Sequence, residues 1–300
     1  MKKINVVYMG TPDFAVLPLK LLNEIANVVL VVTKKDAYVG RKKVLSKSPV
    51  KLLAEDLGLE VFTPDNIKEE YQVILDRKPD LIVTCAYGKI IPKVLIDYPK
   101  YGCVNIHASL LPKYRGAAPI QWALMNGEKE TGVTLMYMDE FMDTGDIIDT
   151  ITYQIKELDD VSTLHDKLSS LGRDLLAKNF PNLISGNVTR VKQDDSLATY
   201  AKMIDRSLEE LDFNTSVINV YNKIRAFSPW PLCKTKVFDE EIKVIKAHYE
   251  VRSAIVNKVY VDKNSLGIGC IDGIIYFDYI KPIGKKEMAI KDYLNGKSNI

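Results

Sequence analysis

Cysteine is sparse and scattered in this chain: Cys85, Cys103, Cys233 and Cys270 stand alone, with no Cys-x-x-Cys pair. That spacing argues against a disulfide framework or a zinc site and predicts a reduced, cytoplasmic protein. Long apolar runs are missing too, since none approaches the ~20 residues that span a bilayer. Met1-Lys-Lys-Ile-Asn-Val-Val7 enters a strand directly without a small-residue cleavage site, so no signal peptide is expected. Charge of one sign is also lacking, for 41 basic residues meet 39 acidic ones and leave +2. A balance that even says little about partners; the distribution of charge says more.

One signature is absent where a reader would look for it. Ile4–Met9 is a continuous apolar strand ending at Gly10, with Asp13 placed as N-cap of a helix over Phe14–Ile25. Strand, turn and helix in that order open a Rossmann-like α/β domain, yet G-x-G-x-x-G is missing, which rejects dinucleotide binding. Asn27–Thr33 is a second strand, too apolar to lie at a surface. Asp80–Ala86 is another, followed by the loop Tyr87-Gly88-Lys89. Ligands of open α/β sheets bind beyond the carboxyl ends of strands. Gly10, Tyr87-Gly88 and Asn105–Ser109 should therefore meet on one edge.

The chain is organised around Gly102–Met125. Cys103–His107 alternates as a strand, so Asn105 and His107 share a face, roughly 7 Å apart at Cα if each residue rises ~3.3 Å. A carboxamide that orients a carbonyl beside an imidazole that stabilises a developing oxyanion suits acyl-type transfer. The plainer alternative is a buried Asn-x-His pair satisfied by backbone. Downstream, Asp139-Glu-Phe-Met-Asp143-Thr-Gly145-Asp146 packs carboxylates around a glycine turn. It could be a self-capping loop, a catalytic base beside His107 or a metal loop, although it lacks the ligand spacing of an EF-hand. His165 is expected on a helix surface, and His248 has no partner at motif spacing.

Further stretches stand out. Lys34–Lys47 carries six basic residues against Asp36 alone, net +5. Connections in α/β units usually run about 2–6 residues, so this basic stretch is either a solvated charge run or a phosphate-contacting loop. Ser162–Leu183 has helical periodicity, Asn187–Arg206 is polar and reads as a linker, and Leu208–Ala226 is expected to be helical. From Lys234 on, short alternating segments suggest an OB-like antiparallel β-barrel, a fold that often binds nucleic acid.

These residues together carry a resemblance. Asn105-Ile-His-Ala-Ser-Leu-Leu-Pro-Lys-Tyr-Arg-Gly-Ala-Ala-Pro119, Thr131-Gly-Val-Thr134 and Asp139-x-x-x-Asp143-Thr-Gly-Asp146 resemble the 10-formyltetrahydrofolate-dependent formyltransferases. Met9-Gly-Thr-Pro-Asp-Phe-Ala15, Ser48-Pro-Val-Lys51, Ala86-Tyr-Gly88 and Ile224-Arg-Ala-Phe-Ser-Pro-Trp-Pro231 extend the similarity over nearly the whole chain and point to the branch acting on charged initiator tRNA.

The resemblance implies a catalytic domain over 1–188, a linker over 189–206 and a tRNA-binding OB-like domain over 207–300. It implies Asn105, His107 and Asp143 as catalytic residues, with no metal. Tyr87, Gly88, Ser109, Leu110, Leu111 and Pro112 would hold the folate co-substrate. Arg41, Lys42 and Lys43 would meet initiator Met-tRNA, although Lys35-Asp-Ala-Tyr-Val39 departs from the Pro-Asp-Arg-Pro often found before that arginine. The working form is expected to be a monomer. A sugar or small-amine formyltransferase, a formyltetrahydrofolate hydrolase and a non-enzymatic RNA-binding module are the rival readings.

Overall fold

The computed structural model describes residues 3–39 and 44–297 and divides into two compact units. The first takes the chain up to Pro119, Glu130–Tyr153 and His165–Ala201. The second takes Ile120–Lys129, Gln154–Leu164 and the chain from Lys202 on.

In the first unit, strands β1 (Asn5–Gly10) and β2 (Asn27–Val32) flank helix α1 (Val16–Ile25). The hairpin β3 (Ala37–Val39) and β4 (Val44–Ser46) follows, then helix α2 (Pro49–Asp56), strand β5 (Val61–Phe62) and helix α3 (Gln72–Leu75). Strand β6 (Leu81–Cys85), helix α4 (Lys93–Asp97), strand β7 (Cys103–His107) and the short β8 (Arg115–Gly116) come next, and helix α5 (Pro119–Met125) then falls in the second unit beyond its first residue. Strands β9 (Glu130–Tyr137) and β10 (Ile147–Gln154) and helix α6 (Val161–Ser185) precede β11 (Tyr200–Ala201).

The main sheet runs β10-β9-β7-β6-β1-β2-β5. β5, β2, β1, β6 and β7 pair in parallel, whereas β9 is antiparallel to β7. Val6, Val7, Tyr8 and Met9 of β1 are wholly buried, as its unbroken apolar run requires with both faces covered. Each such side chain contributes ~1.5–3 kcal/mol by leaving water. Pairing of β6 with β7 sets Thr84 opposite Asn105.

Local chemistry decides the helix ends. Ser48 caps α2, its Oγ accepting from Lys51 N at 3.1 Å, with Pro49 at the first helical position. Asp13 does not cap α1: a 3-10 turn over Asp13–Ala15 intervenes, and its N-cap is Pro12 without a side-chain bond. Helix α3 is a single short turn of four residues. Residues 189–201, expected within a linker, are built into the first unit: Val191 bridges Ile147, and β11 pairs in parallel with β8.

The second unit holds helix α7 (Val217–Phe227), strands β12 (Cys233–Val237), β13 (Glu240–Val251), β14 (Val259–Val261), β15 (Leu266–Gly269), β16 (Gly273–Pro282) and β17 (Met288–Ala289), and helix α8 (Ile290–Asn295). The strands form one antiparallel sheet, β12-β13-β16-β15-β14, with β17 on β16. The fold class expected from the sequence, a Rossmann-like α/β domain followed by a smaller β-rich one, is the one observed. The helix expected from Leu208 starts only at Val217, because Asp212 Oδ1 accepts from Asn214 N and Ser216 caps the next turn. Among the described residues, no helix is long and apolar enough to cross a membrane.

Candidate active site

The carboxyl ends of β1, β6 and β7 meet as the topology demands. Thr11 Oγ1, just past β1, donates to the Tyr87 carbonyl past β6 at 3.2 Å. Asn105 and His107 lie on one side of β7. Thr84 Oγ1 donates to Asn105 Oδ1 at 2.7 Å, which fixes the amide with its Nδ2 donors uncommitted among the described residues.

His107 is 6% exposed. Its Nε2 lies 2.9 Å from the Tyr114 carbonyl, which can only accept, so Nε2 carries a proton in either charge state. Nδ1 is then the nitrogen that changes role, accepting when the ring is neutral and donating when it is charged. It faces Asp143 Oδ1 at 3.6 Å. That is longer than a hydrogen bond, so the pair is poised rather than joined.

The acidic loop sorts its carboxylates. Asp139 accepts from Phe141 N at 3.0 Å and from Thr144 Oγ1 at 2.7 Å, which makes it the self-capping member. Asp143 Oδ2 accepts from Gly116 N at 2.8 Å, leaving Oδ1 toward His107. Asp143 has φ +55° and Tyr114 φ +60°, conformations uncommon for residues with a Cβ. Both sit where an atom must be aimed at His107. Among the described residues, no group of three His, Cys, Asp or Glu side chains could hold a metal ion.

The residues expected to hold folate divide. Ser109 is buried, donating to the Lys113 carbonyl at 2.6 Å, and Leu111 is buried with its N–H on Thr134 Oγ1 at 3.1 Å. Leu110 and Pro112 are half-buried, and Gly88 is exposed at φ +73°. Tyr87 is 4% exposed, and its hydroxyl has no hydrogen-bond partner among the described residues; burial, with the Glu70 charge adding, pushes its pKa up to about 12. An orphaned hydroxyl and an unspent carboxamide suit a flat ligand rich in N–H and C=O groups. Arg41, Lys42 and Lys43 lie outside the described residues. The hairpin that precedes and follows them exposes Tyr38, Val44 and Leu45.

His165 sits part-exposed on α6, its ring edge-on to Phe14, and His248 is exposed, 2.7 Å from Asp278 Oδ1. The sequence reading missed several residues that frame the site: Thr84, Tyr114, Thr199 and Gln193. Thr84, Thr199 and Gln193 lie outside any motif, whereas Tyr114 lies within the quoted Asn105–Pro119 stretch but acts through its backbone carbonyl, which a sequence does not mark.

A β-rich unit after a Rossmann-like one, with an amide, an imidazole and a carboxylate at the sheet's edge, describes a class of group-transfer enzyme. The family model for formyl transferase matches residues 2–179, and that for the formyl transferase C-terminal domain matches residues 203–298. The chain belongs to the formyl transferase family. More particularly, it is 44% identical to the methionyl-tRNA formyltransferase of Bacillus velezensis over 98% of this chain and 95% of that protein. The enzyme of the same name from Macrococcus caseolyticus is 43% identical over 97% and 95%. Among solved structures, a sugar 3N-formyl transferase with dTDP and 5-N-formyl-THF matches at a TM-score of 0.70, over 95% of this chain and all of that one. At 24% identity this last likeness speaks for the fold alone.

Proposed function

We propose that the chain moves the formyl group of 10-formyltetrahydrofolate to the α-amino group of methionine on initiator Met-tRNA, and that Asn105, His107 and Asp143 do the chemistry. The co-substrate supplies a formyl carbon on N10: a bond from the methionine nitrogen to that carbon forms, then the N10–C bond breaks while a second proton of that nitrogen passes to N10, so tetrahydrofolate leaves neutral. Asp143 takes the proton that the ammonium must lose, directly or through a water. Asn105 Nδ2 holds the formyl oxygen. His107 Nδ1 faces the charge that grows on that oxygen, with the ring fixed by the Tyr114 carbonyl. Tyr87, Gly88 and the segment Ser109–Pro112 hold the folate.

The observation that carries this reading is the fixed His107 ring facing an Asp143 whose other oxygen is already held. The basic stretch with Arg41, Lys42 and Lys43 supports a phosphate-rich acceptor, as does the name borne by relatives 43–44% identical. The β-rich second unit contributes further RNA contact. The reaction belongs in the cytoplasm, with a monomer as the working form.

Formyl transfer to charged initiator and elongator Met-tRNA, for wild type and His107→Ala, tests the reading. Transfer to the initiator alone, falling about 10²–10³-fold in the variant, is expected, because one oxyanion donor is worth ~3–4 kcal/mol. Folate consumption with no transfer to either tRNA would replace it with a hydrolase or small-amine enzyme.

A further inference from the structure

The stretch after α6 pairs with β8 and bridges Ile147, and one side chain in it has all its hydrogen-bonding capacity committed beside Asp143. Gln193 Oε1 accepts from Arg115 Nε at 3.0 Å and from an Arg115 terminal nitrogen at 2.8 Å. Its Nε2 donates to the carbonyls of Asp143 and Gly145, each at 2.8 Å. Guanidinium nitrogens only donate and carbonyls only accept, so the carboxamide can sit one way round only. Arg115 is itself 2% exposed and anchored on Asp195 Oδ1 at 2.7 Å. A few residues on, Thr199 Oγ1 accepts from Tyr114 N at 2.9 Å, and Arg115 N donates to the Thr199 carbonyl at 2.9 Å.

These bonds reach both halves of the pair. Tyr114 supplies the carbonyl that fixes the His107 ring, and Asp143 supplies the carboxylate facing it. Asp143 at φ +55° has a backbone that would relax toward commoner conformations unless held. Two donors from one rigid amide, backed by a buried guanidinium, hold it.

The geometry points to Gln193 as a positioning residue: it sets the separation of His107 from Asp143 by clamping the Asp143 loop to Arg115. It touches no reacting atom. The inference rests on the proposed role of Asp143, and the experiment keeps the two apart.

Steady-state formyl transfer is measured for wild type, Gln193→Met, Asp143→Asn and the double variant, with thermal unfolding alongside. Methionine matches the length of glutamine and removes every hydrogen bond. Expected are a kcat lower by roughly ten- to a hundredfold in Gln193→Met, KM values for folate and tRNA within about twofold, and almost no further loss when Gln193→Met is added to Asp143→Asn. Should Gln193→Met not fold, Gln193→Glu is read the same way, since it keeps an acceptor for Arg115 but sets oxygen against both carbonyls. A folded variant with wild-type kcat, or an equal loss repeated in the Asp143→Asn background, overturns the positioning role alone. Wild-type activity in Asp143→Asn overturns that role and the catalytic reading beneath it.

Discussion

Thr84 has one hydroxyl proton, and the aim of Asn105 depends on where it goes. Asn105 Oδ1 at 2.7 Å is the nearest acceptor, ahead of the Val104 carbonyl at 3.2 Å and the Met138 sulfur at 3.3 Å. Thr84→Val keeps the buried shape and frees the amide to turn its oxygen toward the formyl group. We expect kcat to fall about two- to tenfold, the ~0.5–1.5 kcal/mol of one hydrogen bond, with the unfolding midpoint nearly unmoved; an unchanged kcat would show that the hydroxyl does not orient Asn105. The two loop carboxylates should separate as cleanly. Asp143→Asn should lose kcat and keep its melting curve, whereas Asp139→Ala gives up the bonds that close the loop and should lower both. Asn105 and His107 were legible in the sequence because alternation along one strand is a local property. Thr84 was not, since only the pairing of two strands brings it opposite Asn105.

At the scale of elements, what was legible divides along the same line. The buried strands announced themselves by unbroken apolar runs, and α6 by its leucine stripe, of which Leu164, Leu168, Leu175 and Leu176 are buried. The stretch from Arg190 to Ala201 left no such trace. Its β11 is two residues long, pairs through backbone alone, and acts through Gln193, a polar residue among polar neighbours. The glycine turn at 145 was visible, but not its tightness. A Cβ there would lie 2.0 Å from the Tyr137 carbonyl, and backbone cannot yield that much. Gly145→Ala should therefore cost roughly 1–3 kcal/mol of stability and also displace Asp143, cutting kcat. Gly186 offers the contrast, with φ +75° and open space around it. Gly186→Ala should cost only the ~1–2 kcal/mol of a left-handed residue and leave kcat alone. A wild-type kcat in Gly145→Ala would mean that the Asp143 loop tolerates the shift.

For the whole molecule, a net charge near zero hides two concentrated arrangements. In the second unit, Glu240 meets Lys297 at 3.0 Å, Tyr293 Oη at 2.8 Å and Lys285 at 3.3 Å, and these bonds take its pKa from the ordinary 4.5 to about 2. A carboxyl that is more acidic folded than unfolded stabilises the fold above its unfolded value and loses that as pH falls through the folded one. Wild type should thus lose stability relative to Glu240→Gln between about pH 4.5 and pH 2, measured by urea unfolding; parallel curves across that window would remove Glu240 from the account. The other arrangement is the basic stretch. Lys35 and Lys47 pair with Asp65 and Glu55, acids outside it, and its own Asp36 pairs with Lys51. Arg41, Lys42 and Lys43 lie outside the described residues, and they are the three the sequence reading assigns to a phosphate-rich partner. If each neutralises one phosphate, converting all three to alanine should flatten the slope of log affinity against log salt by about 2–3. KM for Met-tRNA should rise while KM for folate stays put, because none of the three is among the residues proposed for the chemistry or for folate. A slope equal to wild type would show that these three side chains bind no phosphate, leaving recognition of the tRNA to surfaces elsewhere on the chain.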